Sequence, residues 1–297
     1  MKNIVFEGCA TALITPFNCD GVDFESFENL VEEQISSGVS ALVFAGTTGE
    51  APTLTEAERG EICSFAKRTV RGRVPVIMGC GSNSTAETVR RAKAAEERGA
   101  DALLVVSPYY NKGNREGIVR HYISVCEAVG LPVIAYNVPS RTGVDLDLEI
   151  CRELSKIENI AGIKEATGSV SRAACIMSYL GDELPLYSGA DEVNLPILSI
   201  GGAGVISVVS NIFPRECVEM CSAAQVGNFA SARDISEKLY PFITALFCEV
   251  NPIPVKTVLS YIGLCKEIFR LPICSISERN RNRVIGEYNK LKEKLCK

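Results

Sequence analysis

Ile160-Ala161-Gly162-Ile163-Lys164-Glu165-Ala166-Thr167-Gly168 is a short apolar run that closes on a lysine and passes at once into small turn residues. Its length and apolar character suit a strand of a parallel sheet covered by helices. Lys164 is the anomaly. An ammonium is costly to take out of water, so a lysine there is either held by a partner or used as a neutral amine. The neutral amine is a nucleophile that forms a Schiff base with a carbonyl compound, and the imine then acts as an electron sink for making and breaking carbon–carbon bonds. Alternation along a strand puts Lys164 on one side with Gly162 and Ile160, and Ile163 and Glu165 on the other, which argues against Glu165 as its immediate partner. From these residues alone, the paired and the nucleophilic lysine both stand.

Seven further runs of the same kind surround it: Ala10–Thr15, Ala41–Ala45, Val74–Met78, Ala102–Val106, Leu131–Tyr136, Pro185–Ser188 and Gly204–Val209. Helical patterns separate them. Thr55 with Glu58 reads as a capping box, and Ser84 with Glu87 repeats the logic ahead of a helix that stops at Gly99. Eight such units predict a closed (β/α)8 barrel over residues 1–224. A doubly wound sheet would want a glycine-rich phosphate turn after its first strand, and this chain has Thr15-Pro16-Phe17-Asn18 there. After about Ala224 the strand rhythm stops; Ser231–Val250, Pro254–Gly263 and Ser277–Leu295 read as helices of a small C-terminal domain, 225–297.

Composition narrows the function classes. At 297 residues, 46% hydrophobic and 23% charged, with no apolar run of about twenty residues, the chain is a globular protein without a membrane span. The start, Met1 to Glu7, breaks at an acid before an apolar leader core could form, so a cytosolic protein is expected. A net charge of −5 without a Lys/Arg stripe gives no footprint for nucleic acid. Thirteen cysteines lie singly in apolar segments and read as reduced core thiols, with Cys217 and Cys221 packing on one helix face rather than holding a metal. The single histidine, His121, reads as a helix-surface or satisfied residue, which leaves proton transfer to Tyr, Thr, Lys or carboxylates. Gly201-Gly202-Ala203-Gly204 precedes the eighth strand, on the face away from barrel active sites, and no other glycine pattern implies a nucleotide cofactor; neither cofactor nor metal is expected.

Residues just past the C-terminal strand ends converge on one mouth in a barrel. The second strand delivers Gly46-Thr47-Thr48-Gly49-Glu50, a turn whose hydroxyls and N–H groups suit a small carboxylate. The fourth delivers Pro108-Tyr109-Tyr110-Asn111, the fifth Tyr136-Asn137-Val138-Pro139-Ser140-Arg141-Thr142-Gly143, and the sixth Lys164. Neighbouring strands lie about 4.8 Å apart, so the Tyr136 phenol can approach the Lys164 amine.

These motifs, with Asn251-Pro252-Ile253-Pro254-Val255-Lys256, resemble the dihydrodipicolinate synthase family from about Gly8 to Pro272. The resemblance implies a barrel lyase that condenses pyruvate with L-aspartate 4-semialdehyde on the diaminopimelate route to lysine. It implies that Lys164 forms the imine, that Tyr136 is the general acid/base, and that Thr47 links Tyr136 to Tyr110, which in the family reaches in from a neighbouring subunit. Arg141 would grip the semialdehyde carboxylate, and Thr48, Gly189 and Ile206 match positions lining the pyruvate pocket. Self-association as a homodimer or a homotetramer is implied as well. The related N-acetylneuraminate lyases share the tyrosine and the lysine but usually lack the arginine, so they, or another pyruvate-dependent aldolase, are the second reading; a barrel that only binds ligand is the third. Asn83, Glu87 and Tyr109 match the cleft where lysine inhibits some relatives, whereas Glu56 and Arg59 stand where those relatives carry histidines, so weak or absent lysine inhibition is expected.

Overall fold

The computed structural model describes residues 4–296. Eight strands form the barrel: β1 (Gly8–Ala12), β2 (Ala41–Phe44), β3 (Val76–Gly79), β4 (Ala102–Val106), β5 (Val133–Asn137), β6 (Ile160–Glu165), β7 (Leu186–Ser188) and β8 (Gly204–Ser207). Every neighbouring pair is parallel, and β1 pairs with both β2 and β8, so the sheet closes on itself. Between strands run α1 (Phe24–Ser36), α2 (Glu56–Val70), α3 (Thr85–Glu97), α4 (Arg115–Ala128), α5 (Leu148–Ser155), α6 (Val170–Leu180) and α7 (Asn194–Ser199), and α8 (Pro214–Gln225) follows β8. The fold is a (β/α)8 barrel. Both sequence-identified caps form: Thr55 and Glu58 exchange bonds in a full capping box, and Ser84 accepts from the Glu87 N–H.

Alternation sorts the strand residues into two layers. Ala10, Ala41, Val43, Ile77, Leu104, Ile134, Tyr136 and Ile206 fill the barrel interior. Leu42, Phe44, Val76, Leu103, Val105, Ala135 and Ile163 face out and pack under the helices.

The structure revises four expectations. The register between β5 and β6 shifts after Val133, which pairs with Ile160 while Ile134 pairs with Gly162. Ala161 is the extra residue, so Ile160 lies in the outer layer with Ile163, not on the side of Lys164. The slip needs glycine next: a Cβ on Gly162 would lie 2.5 Å from the Pro185 carbonyl oxygen. The first strand is Gly8–Ala12; Leu13–Thr15, expected to extend it, lie outside the strand, ahead of a hairpin of Phe17–Asn18 with Gly21–Val22 that the sequence did not announce. His121 is not at the surface; it is buried, with Nδ1 bonded to Thr85 Oγ1 and Nε2 without a partner among the described residues, and burial pushes its pKa down to about 4. Finally, no disulfide forms among the described residues, but Cys19, Cys175, Cys274 and Cys296 are exposed and not core thiols; Cys217 and Cys221 do pack inward.

After α8 come α9 (Phe229–Leu246), α10 (Ile253–Tyr261) and α11 (Glu278–Leu295), a C-terminal helical extension. They share one apolar cluster with β1, β8 and α8, in which Cys9, Val205 and Met220 meet Phe242, Val258 and Tyr288. A buried ion pair adds to this attachment. Lys256 of α10 donates to Glu50 at 2.5 Å and to the Ile268 carbonyl at 2.9 Å, and both charged side chains are wholly buried. The ammonium also sits 4.3 Å above the Phe17 ring of the hairpin. Burial lowers the Lys256 pKa, and the Glu50 carboxylate opposes that shift.

Removing one member of such a pair strands the other charge in the core, a loss of about 3–5 kcal/mol. Lys256→Met is expected to lower the unfolding free energy in urea by that amount, and Glu50→Leu combined with Lys256→Met to recover most of it. A single variant within about 1 kcal/mol of the parent would contradict the assignment.

Candidate active site

The β5–β6 register sets Tyr136 directly beside Lys164. The Lys164 ammonium nitrogen lies 4.4 Å from the centre of the Tyr136 ring, and among the described residues no carboxylate pairs with it. Glu165, on the outer side as the alternation requires, is taken up instead by Asn137 Nδ2 and Arg172 Nε, each at 2.9 Å. Lys164 is buried to 5% exposure yet borders a cavity of about 540 Å3. A lysine in that setting has the environment of a nucleophile and lacks the partner of a structural ion pair.

Thr47, Thr48, Tyr136, Arg141 and Gly189 border the same cavity. Thr47 and Thr48 sit in the turn after β2, which is pinned where Thr15 Oγ1 donates to the Gly49 carbonyl at 2.7 Å and the Glu50 N–H to the Thr47 carbonyl at 3.1 Å. Arg141 lies on the single helical turn Pro139–Thr142, and its Nη2 donates to the Asn251 carbonyl at 3.0 Å. Gly189 lets the lysine stem pass: a Cβ there would stand 2.7 Å from Lys164 Cε.

Other expected members stand apart. Ile206 is buried in the barrel interior with Tyr136 and Tyr187 and does not border the cavity. Tyr110 is 88% exposed, with a left-handed backbone at φ 72°, and takes no part in the cavity of its own chain. No hydrogen bond joins Thr47 to Tyr136 among the described residues, so a single chain does not assemble a Thr47–Tyr136–Tyr110 relay. A second cavity of about 300 Å3 leads from Thr47, Tyr136 and Arg141 to Tyr109, Arg59 and Arg91. Glu87 lies beside it, bonded to Arg90 and Arg91, and the Asn83 carbonyl accepts from Asn111 Nδ2.

Residues that sequence reasoning did not place in the site come mostly from the C-terminal extension: Tyr240, Thr244 and Phe247 of the α9 region and Asn251 form one wall of the Lys164 cavity, with Glu192 beyond β7. Only the Asn251–Lys256 motif hinted at them, because a helix returning over the mouth has no local signature.

Residues 5–290 match the family model described as the dihydrodipicolinate synthetase family. The chain belongs to that family. A 4-hydroxy-tetrahydrodipicolinate synthase of Kosmotoga olearia is 46% identical over 283 residues, 94% of this chain and 96% of that one. The solved structure of the same enzyme from Methylacidiphilum fumariolicum SolV superposes with a TM-score of 0.96 at 40% identity, covering 98% of this chain and 97% of the other. The pyruvate complex of a chloride-inhibited dihydrodipicolinate synthase from Acinetobacter baumannii gives 0.95 at 41%, covering 96% and 99%.

Within this family member, Gly189→Ala should displace the lysine stem without unfolding the barrel. Reductive trapping of pyruvate on the protein by borohydride is expected to slow by about a hundredfold, the scale of an ångström of misplacement. Trapping at the parent rate would show that the glycine is not needed there.

Proposed function

We propose that this enzyme is a 4-hydroxy-tetrahydrodipicolinate synthase, condensing pyruvate with L-aspartate 4-semialdehyde, and that Lys164 is its nucleophile. The observation that carries the reading is a buried amine facing a tyrosine ring and an open cavity instead of a carboxylate. The neutral Lys164 amine adds to the pyruvate keto carbon, and water leaves as the imine forms. Loss of a methyl proton gives the enamine, whose carbon attacks the aldehyde carbon, and the aldehyde oxygen takes up a proton. The amino group of the semialdehyde then displaces Lys164 from the imine and closes the ring. Tyr136, set beside the amine by the strand register, serves as the general acid and base of these transfers. Thr48 and the turn around it receive the pyruvate carboxylate. Gly189 leaves the lysine stem room, while Ile206 shares the barrel-interior cluster with Tyr136. Arg141 grips the semialdehyde carboxylate, since its fork suits that group and among the described residues a single one of its nitrogens is engaged, by the Asn251 carbonyl. This arginine favours the synthase over an N-acetylneuraminate lyase.

In this reading residues 1–224 are the catalytic barrel and 225–297 a helical domain that completes its mouth. The exposed, left-handed Tyr110 would join Thr47 and Tyr136 only across a contact between copies of the chain, which supports self-association as a dimer or a dimer of dimers. No helix of the described residues is long and apolar enough to cross a membrane.

Mass spectrometry after borohydride reduction with pyruvate should show an adduct on Lys164 that Lys164→Ala abolishes; an unmodified parent protein would overturn every Schiff-base reading. With a reductase coupled to NADPH oxidation, pyruvate and L-aspartate semialdehyde should be turned over, and Arg141→Ala should chiefly impair use of the semialdehyde. Absence of turnover beside a normal adduct would leave another aldolase.

The cleft marked by Asn83, Glu87 and Tyr109 is a poor lysine site. Arg59 is buried and donates to the Gly79 carbonyl at 3.1 Å and to the Ala51 carbonyl, and Glu56 is taken by Arg91 at 2.9 Å. Burial, and then the neighbouring Arg91, already disfavour the charge on Arg59. A further ammonium would add to that repulsion. Inhibition by lysine at half-saturating pyruvate is expected to be weak; half-inhibition at millimolar or lower lysine would refute this.

A further inference from the structure

Asn251 precedes α10, where the C-terminal extension meets the mouth, and it touches both halves of the site. It is 7% exposed and borders the cavity that holds Lys164, Thr48 and Arg141. Its side-chain Nδ2 donates to Thr48 Oγ1 at 3.0 Å, and its backbone carbonyl accepts from Arg141. Its Oδ1 is buried without a partner among the described residues. A side chain serving stability alone would not keep a buried acceptor unsatisfied.

The consequence lies in the Thr48 hydroxyl. A threonine hydroxyl carries one proton and two lone pairs. The amide of Asn251 fills a lone pair, and among the described residues nothing accepts the Thr48 proton. That proton is free to turn into the cavity, where an incoming carboxylate is the acceptor it lacks. Without the amide the hydroxyl could rotate its proton elsewhere, and the carboxylate would meet a lone pair as readily as a donor.

We propose that Asn251 is a positioning residue for the keto-acid substrate: its side-chain amide directs the Thr48 hydroxyl proton at the substrate carboxylate. The inference rests on the functional reading above. It assigns to the C-terminal extension a part in pyruvate affinity, although no residue of that extension carries the chemistry.

The test is a double-mutant cycle of Asn251→Ala and Thr48→Val, read as the pyruvate concentration that half-saturates borohydride trapping at Lys164 and as KM and kcat in the coupled assay. Each single variant is expected to raise half-saturation by about tenfold, the worth of one well-placed hydrogen bond. The kcat should change less, and the double variant should bind pyruvate no worse than Thr48→Val alone. Asn251→Asp keeps the shape but offers only acceptors when ionised, so it should raise the pyruvate KM further, with the deficit shrinking as pH falls and the carboxyl gains a proton to donate. It also serves as the readout if the alanine variant does not fold. Additive losses in the cycle, an unchanged pyruvate dependence, or a pH-independent deficit in Asn251→Asp would each overturn the proposal while leaving the Schiff-base reading intact. No adduct on the parent protein would overturn both.

Discussion

Two charges withdrawn from water, Glu50 and Lys256, hold this structure's working parts in register. Glu50 ends the turn that carries Thr47 and Thr48, and Lys256 belongs to a helix more than two hundred residues further on. Desolvating either alone costs several kcal/mol, so the pair persists only while the C-terminal helices sit against the barrel mouth. The ring of Phe17 under the ammonium and the Ile268 carbonyl complete its surroundings. Glu50 also accepts from the Arg270 N–H, which brings the segment after α10 to the same point. The extension is therefore tied to the turn of the site and shares its core with the barrel.

Around Lys164 the opposite choice is made. The lysine faces an aromatic ring, and the nearby acid, Glu165, is spent on Arg172 and Asn137 in the outer layer. A ring face is a weaker electrostatic partner than a carboxylate would be in a medium of low dielectric. Among the described residues two lysines are buried, with different fates. Lys256 is paired and sealed, and Lys164 has no carboxylate partner there and opens on a cavity.

Much of this was legible from sequence. Repeated apolar runs between capped helices encode a parallel barrel because each unit depends on local periodicity, and the mouth residues follow from strand ends. The side of Glu165 and the proximity of Tyr136 to Lys164 follow from the same period of two. The alternation failed only at Ala161, where a one-residue bulge moves Ile160 to the outer layer. Such a bulge depends on how closely β7 approaches Gly162, a long-range contact that no local pattern carries. His121 was misplaced for a related reason: its helical pattern is ambiguous, and burial against Thr85 is settled by how α3 and α4 pack.

By itself the order of residues determines the barrel, the strand ends that face the mouth, and the presence there of a lysine, tyrosines, threonines and an arginine. These depend on hydrogen bonding along the chain and on short-range periodicity. Tertiary packing alone decides which of those groups meet: that Thr48 and Arg141 converge on Asn251, that Tyr110 stays exposed outside its own cavity, and that Ile206 is buried in the barrel interior without bordering it. The distinction is physical. Local geometry sets which side of an element a residue faces, but desolvation and close contact between distant segments set what it finds there.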